Sequence, residues 1–245
     1  MSSGRLRLTF FIAAALLGVS LFLSLGAWQV QRRHWKIDLI EQVEQRRNAP
    51  PVAAPGPDQW STVTSQNDAY RRVRVHGLFL HDHETLVQAS TSYGTGFWVM
   101  TPLRTDQGFT ILVNRGFVSP EHRDPATRAE GQIAGEVTII GLMRMTEPKG
   151  SFLRANDATS GHWYSRDVAA IAASQKLRDS APYFIDADST PYPGGWPIGG
   201  LTVIAFPNNH LIYAITWFGL AFLLAIASFV FLREEYRLSR NSVND

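Results

Sequence analysis

The stretch that decides the fold is NNHLIYAITWFGLAFLLAIASFVFL, residues 208–232, in which a histidine precedes a long apolar run. After that histidine the run contains no charged side chain, and a second uncharged run, LTFFIAAALLGVSLFLSLGAW, occupies residues 8–28. A helix of about 20 apolar residues, rising about 1.5 Å per residue, crosses the roughly 30 Å hydrocarbon layer of a bilayer. The sequence therefore predicts two transmembrane helices, at residues 8–31 and 210–232.

The first apolar run has one feature of a secretory signal peptide, the basic flank GRLR at residues 4–7. We favour a retained anchor, because the run is longer than the usual apolar region of a signal peptide. It also offers no small-residue cleavage site before the bulky Trp28. The sequence leaves no room for a mitochondrial presequence before Leu8, so we expect a bacterial inner membrane.

Charge around the spans predicts the topology. Two spans place both termini on one side of the membrane, and three arginines follow the second span, whereas no lysine or arginine lies between Arg178 and Asn209. Because lysine and arginine are retained on the cytoplasmic side, we expect a cytoplasmic tail at residues 233–245 and a periplasmic domain. The bias at the first span is ambiguous, since three cationic residues follow it directly: Arg32, Arg33 and Lys36.

The segment after the first span predicts a short helix followed by a linker. Residues 32–48 place four apolar side chains on one helical face, with charges opposite, which predicts an amphipathic helix that is separate from the anchor or continuous with it. The stretch NAPPVAAPGPDQW, residues 48–60, contains four prolines, which cannot continue a helix. We interpret residues 49–69 as an extended linker.

Residues 70–207 predict a β-rich domain. Short segments rich in β-branched and aromatic residues are separated by Gly, Pro or Asp: RVRVHGLFL, ETLVQAS, GFWVMTPL, FTILVNRGFV, GEVTIIGLMRM, and later PYFIDA and GLTVIAF. Gly77 within the first of them is interpreted as a backbone position that excludes a Cβ. Segments so close together favour an antiparallel sheet.

One helix is predicted within this domain, in YSRDVAAIAASQKL, with Ser165 as its N-cap. Its inward face is predicted to carry Val168, Ile171 and Ala172. The fold class is therefore an α+β membrane protein, in which two transmembrane helices flank an extracytoplasmic domain. That domain is a mainly antiparallel β-barrel or sandwich with one or two helices.

Composition and motifs argue against several function classes. The chain has 245 residues, a formal net charge of +2 and no cysteine, which excludes thiolate nucleophiles and thiolate metal ligands. No phosphate-binding, dinucleotide-binding, zinc-protease or nucleophile-elbow motif is present, so we expect no enzyme. The slight basic excess lies near the spans and not in a patch on the domain, which argues against nucleic-acid binding.

Several blocks, in chain order, together resemble the Surfeit locus protein one family of assembly factors for haem–copper cytochrome c oxidase. The resemblance covers nearly the whole chain. The blocks are LGAWQVQRRHWKIDLI, VHGLFLHDHE, GFWVMTPL, ILVNRGFVSPEHRDPATRAEGQIAGEVTIIGLMR, APYFIDAD, PGGWPIGGLTV and NNHLIYAITWFGLA.

This resemblance implies a function and a site. It implies that the chain binds haem a transiently and assists its delivery or insertion into oxidase subunit I, with haem a synthase as a further partner. The histidine that opens the second span is implicated in haem a binding in bacterial relatives. The motif NNHLIYAITWF carries that role, axial ligation of the haem iron, to His210.

Elementary chemistry is compatible with this assignment. With Asn209 as N-cap, a helix starting at His210 places Tyr213 one turn away and Trp217 two turns away on the same face. These two rings form an aromatic surface that extends from His210 into the bilayer. Haem a has a polar edge, an iron that takes an imidazole and a long isoprenoid tail that partitions into lipid. We therefore predict a site of His210, Tyr213 and Trp217 in contact with membrane lipid. Trp28 and Gln29 could pack near His210 if the two helices are neighbours.

Alternatives remain open at this point. Interfacial His, Tyr and Trp also serve as membrane anchors without a ligand. The chain would then be a scaffold that stabilises nascent oxidase subunit I without binding haem. The second axial ligand is open between water, a partner residue and His34.

Two further groups carry weaker hypotheses. His81 and His83, if they lay on a strand, would point to one face and could bind copper or zinc, although a solvated turn is favoured. Three arginines in NRGFVSPEHRDPATR could grip haem propionates or an acidic partner surface, or brace their own loop through Asp124 and Glu121. They are Arg115, Arg123 and Arg128.

Overall fold

The structure is a computed structural model that describes residues 3–151, 153–204 and 206–241. The chain divides into two compact units, one of residues 1–41 with 205–245 and one of residues 42–204. The first unit is a pair of helices and the second is rich in β-strands.

Two long helices have the length and composition needed to cross a membrane. Helix α1 comprises Ser3–Asn48 and helix α4 comprises His210–Asn241. The most apolar stretch of each helix is almost entirely exposed. This is the surface expected of helices that face lipid. Helix α1 continues without a break through residues 32–48, so the predicted amphipathic helix is continuous with the anchor.

The two helices pack antiparallel through rings and small residues. The centroids of Phe11 and Phe231 lie 4.4 Å apart at one end of the pair. Toward the other end, a Cβ on Gly26 would lie 2.6 Å from the ring of Phe218, so only glycine permits this approach. On α4, small side chains at seven-residue spacing are buried: Ala214, Ala221 and Ser228. Spacing of this kind is typical of left-handed helix packing.

The β-rich unit contains one seven-stranded sheet with spatial order β1-β2-β6-β7-β5-β4-β3, and a further pairing of β2 with β4 closes it into a barrel-like sheet. Most pairings are antiparallel, whereas β1–β2 and β5–β7 are parallel. The elements in chain order are β1 Val52–Ala53, α2 Ser65–Asp68, β2 Arg72–Phe79, β3 Thr85–Thr91, β4 Gly94–Thr105, β5 Thr110–Val118, β6 Glu136–Met145, α3 Val168–Ser174 and β7 Ser180–Ala187.

Closure of the sheet depends on Gly77. A Cβ at this position would collide with the carbonyl oxygen of Arg104, where β2 meets β4, as the sequence predicted for this glycine. The interior is filled by side chains that include Val73, Leu103, Ile111, Tyr183 and Ile185. A second cluster lies where α3 packs on the sheet and includes Val168 and Ile171. Ala172 is also buried, so all three side chains lie inside as predicted.

Three local predictions differ from the structure. The cap of α3 is Asp167, whose side chain accepts a hydrogen bond from the Ala170 amide, and not Ser165. Ser165 instead donates its hydroxyl proton to the Glu147 carbonyl. The described part of GLTVIAF forms no strand, and Ala205 within it lies outside the described residues. The segment 49–69 is not purely extended, since it contains β1, α2 and a 3-10 helix at Pro57–Thr62.

Candidate functional site

The site begins where helix α4 starts. The helix starts at His210, and the carbonyl of Asn209 accepts the amide protons of Ile212 at 3.1 Å and of Tyr213 at 3.3 Å. Asn209 therefore holds the N-cap position, because the carbonyl of a cap residue already accepts the first intrahelical bonds. His210 is half-buried and lies at the end of the apolar span.

A second helix fixes the imidazole of His210. Its Nδ1 lies 2.7 Å from Oε1 of Gln29, which is itself only 9% exposed. An amide oxygen can only accept, so in the neutral imidazole this contact places the proton on Nδ1 and the lone pair on Nε2. Among the described residues Nε2 has no hydrogen-bond partner. The ring is thus held in the tautomer that ligates a metal through Nε2.

Aromatic rings continue from His210 toward the middle of the helix pair. The ring of Trp217 stacks on Phe22 of α1, with centroids 5.7 Å apart and an interplanar angle of 27°. Tyr213 lies toward the outside and is 55% exposed, and Trp28 is 53% exposed. The structure therefore brings His210, Gln29 and Trp217 to the face between the helices and places Tyr213 at its outer edge.

His34 does not join this group. It lies five residues beyond Gln29, on a different face of α1, and its Nδ1 contacts the Val30 carbonyl at 2.9 Å. The hypothesis that His34 supplies a second axial ligand to the same iron therefore has no support in the arrangement of the helix pair.

The pair His81 and His83 lies in a 3-10 turn and not on a strand, so the geometry proposed for a copper or zinc site is absent. Nε2 of His81 lies 3.1 Å from the Ile133 carbonyl. Burial lowers the pKa of His81, and the charge of Arg115 acts in the same direction. Within residues 3–151, 153–204 and 206–241, no three His, Asp or Glu side chains form a metal-binding group.

This environment of His81 predicts a pH dependence. Because folding lowers the pKa of His81, the unfolded state takes up a proton at a higher pH than the folded state does. The contribution of His81 to the free energy of unfolding is therefore fully present above about pH 6.5 and decreases as the pH falls below that value. The slope is at most that of one proton, about 1.4 kcal/mol per pH unit. We expect His81→Gln to remove this slope in urea unfolding followed by tryptophan fluorescence, whereas the neighbouring His83→Gln keeps it. A slope that survives His81→Gln unchanged would assign the dependence elsewhere.

Two of the three arginines in NRGFVSPEHRDPATR have other partners than predicted. Arg115 lies on β5 and is completely buried, and its guanidinium carbon lies 5.0 Å from the ring centroid of Phe79 and 4.6 Å from that of Tyr192. The carboxylate that compensates both Arg115 and the buried Arg128 is Glu84, not Asp124 or Glu121. The cluster is therefore a structural core, and neither arginine is available to a ligand.

Sequence reasoning missed a second buried polar cluster, around Asp186 on β7. This carboxylate, 4% exposed, accepts hydrogen bonds from Asn114, Arg144, Arg166 and Thr202. It is one of the residues that line a cleft of about 490 Å³. The available signal was an aspartate inside the otherwise apolar strand PYFIDA. Through Thr202, the cluster ties the segment that follows β7 to the sheet.

Comparison with known proteins identifies the family. The family model of the SURF1 family matches residues 16–222, which includes the whole β-rich unit and the His210 site. Surfeit locus protein 1 of Homo sapiens is 40% identical, over 87% of this chain and 73% of the human protein. The Mus musculus protein is 38% identical over 87% and 72%, and that of Takifugu rubripes 38% over 80% and 86%. The chain belongs to the SURF1 family.

Proposed function

We propose that this chain binds haem a at the outer end of the α1–α4 pair and assists its delivery or insertion into cytochrome c oxidase subunit I. Membership of the SURF1 family supports the coarser part, a role in cytochrome c oxidase assembly. The observation that supports the finer part is the imidazole of His210, held through Nδ1 by Gln29 with Nε2 unpartnered among the described residues.

The arrangement suits the chemistry of the cargo. Haem a supplies an iron that accepts an axial nitrogen, and neutral imidazole with a fixed tautomer is the form that ligates iron. Trp217, stacked on Phe22, and the exposed ring of Tyr213 provide flat apolar surface below His210. Lipid around the exposed span accommodates the isoprenoid tail, which water would not.

The proposed location follows from charge and hydropathy. Helices α1 and α4 are long and apolar enough to span a bilayer. The arginines after the second span favour cytoplasmic termini, with the β-rich unit on the periplasmic side of a bacterial inner membrane. Subunit I and haem a synthase are the proposed partners. The proposed role is not enzymatic, because the haem leaves chemically unchanged.

A visible absorption spectrum tests this function directly. The full chain, purified in detergent from cells that make haem a, is expected to carry a Soret band and an α band characteristic of ligated haem a. Pigment extracted into acidic acetone identifies the haem type. A protein that is colourless after purification, and that takes up no added haem, would remove the haem-binding function.

Gln29 is expected to act as a positioning residue for His210. Gln29→Leu keeps the side-chain volume but removes the acceptor, so the imidazole loses its fixed tautomer. Loss of such an orienting partner costs about 10–100-fold in affinity for a bound metal centre. The expected result is weaker haem binding in a spectroscopic titration, with a shifted Soret band.

The matched control is Gln31→Leu, on an exposed position of the same helix. This variant is expected to bind haem as the original chain does. Equal affinities for Gln29→Leu and Gln31→Leu would show that the Gln29 contact has no role in ligation.

A further inference from the structure

Two cationic side chains lie on the same face of α1 as Gln29. Arg33 and Lys36 follow Gln29 by four and seven residues, which places them one and two helical turns further from the apolar span. Phe22 and Gly26, which contact α4, share this face. Nζ of Lys36 lies 5.4 Å from the ring centroid of Phe206, four residues before His210. The two cations therefore lie farther from the apolar span than the imidazole of His210, on the side of α1 that carries Gln29.

These two charges lack a counter-charge within the helix pair. Neither forms an ion pair among the described residues, and no acidic residue lies three or four positions from either along α1. They also lie three residues apart, where like charges on a helix repel each other. Unmatched like charges beside an apolar span are a favourable site for an anion.

We propose that Arg33 and Lys36 bind the two propionate carboxylates of the porphyrin whose iron His210 ligates. This inference rests on the proposed function. A porphyrin of this class has both propionates on one edge, and in haem a the isoprenoid chain leaves from the opposite edge. The helix pair presents groups that suit these edges in the same order along its axis. The two cations lie beyond the apolar span, His210 lies at the end of the span, and the rings of Trp217 and Phe22 stack within it.

Phospholipid headgroups are the other anions that Arg33 and Lys36 could bind. The neighbouring Arg32 has the surroundings expected of a residue that contacts headgroups. Its guanidinium carbon lies 4.0 Å over the ring of Trp35, and both side chains are exposed, which is typical of a headgroup-facing pair at an interface. Arg33 and Lys36 instead share the face that carries Gln29. Their position relative to the ligating imidazole favours a ligand carboxylate.

A comparison of two porphyrins tests the proposal. The full chain in neutral detergent is titrated with iron protoporphyrin IX and with its dimethyl ester, which lacks the carboxylate charges. We expect the diacid to bind more tightly than the ester, with an advantage that shrinks as salt is added. The double variant Arg33→Gln, Lys36→Gln should lose about tenfold in diacid affinity for each cation removed and keep its ester affinity.

The matched control removes two cations at the other end of the helix pair, Arg7→Gln with Arg237→Gln. It should leave both affinities unchanged. The proposal is overturned if the Arg33, Lys36 double variant binds both porphyrins like the original chain, or loses affinity for both equally. It is also overturned if the diacid advantage appears only when anionic phospholipid is added.

The same titration separates this inference from the proposed function. A His210-dependent Soret shift without any preference for the diacid leaves the haem-binding function standing and removes the propionate contacts alone. No His210-dependent shift with either porphyrin removes both. A diacid preference that requires both His210 and the two cations supports both.

Discussion

His210→Ala is expected to lower haem affinity more than any other single substitution in the helix pair. The substitution removes the nitrogen that would ligate the iron, whereas Gln29→Leu removes only its support. Because loss of an orienting partner alone costs about 10–100-fold, we expect a loss beyond about 100-fold for the ligand itself. The measurement is the haem content of the purified chain, together with its Soret band after titration.

His34→Ala is the matched control, because it removes an exposed histidine from the same helix pair. We expect it to keep both the haem content and the position of the Soret band. A His34→Ala protein with the spectrum of a lost axial ligand would restore His34 as the second ligand. Equal haem content in His210→Ala and the original chain would reject ligation by His210.

Oxidase yield in the same strains distinguishes the haem carrier from the scaffold without haem. A carrier predicts that His210→Ala lowers the haem a content of subunit I in the membrane. The scaffold predicts normal oxidase with His210→Ala, and a loss only when the β-rich unit is destabilised, for example at the buried arginines Arg115 and Arg128.

The two long helices, and the position of His210 at the start of α4, could be predicted from sequence because their signals are local. Hydropathy gives the spans, and the start of α4 at His210 follows from where the charged and polar residues stop. Gln29 could be placed near His210 only on the condition that the two helices are neighbours, and the hydrogen bond between these side chains meets that condition. The tautomer could not be predicted, because it depends on which nitrogen meets the amide oxygen.

In the β-rich unit, the strand pairings between distant segments could not be predicted from local sequence. The alternation that marks individual strands does not say that β5 and β7 pair in parallel or that β2 closes on β4, because these pairings join distant segments. The segment GLTVIAF has a strand-like composition, yet none of its described residues forms a bridge, whereas Ile198, just before it, pairs with Phe117. Ser165 and Asp167 are both good cap residues, and tertiary contacts with Glu147 engage Ser165.

The partner of Arg115 could not be predicted for the same reason. Arginine is seldom buried unless paired, and its partner Glu84 lies 31 positions earlier in the chain, at the start of another strand. Nothing local identifies that partner. The prediction that Asp124 and Glu121 pair with these arginines is wrong, because it relies on nearness in sequence alone.

Glu84→Gln is expected to be the most destabilising of the substitutions proposed for the β-rich unit. Glu84 contacts Arg128 through both carboxylate oxygens and lies 3.8 Å from Nη1 of Arg115. Both arginine side chains are at most 1% exposed, and Nη2 of Arg115 also donates to the Gly131 carbonyl. Glutamine keeps the shape but leaves two buried cations without a counter-charge. Removing one partner of a buried pair costs about 3–5 kcal/mol, which lowers the melting temperature of a domain this size by about 10 °C.

Thermal unfolding of the full chain in detergent, followed by near-ultraviolet circular dichroism, measures this loss. Glu136→Gln is the control, because that side chain is 67% exposed and is expected to change stability by less than about 0.5 kcal/mol. Adding Arg128→Met to Glu84→Gln removes one uncompensated cation, so the double variant should be less destabilised than the sum of the two single variants. Additive losses, or a melting temperature for Glu84→Gln equal to that of Glu136→Gln, would mean that the cluster is not held by charge. In that case the rings of Phe79 and Tyr192 around Arg115 would stabilise it alone.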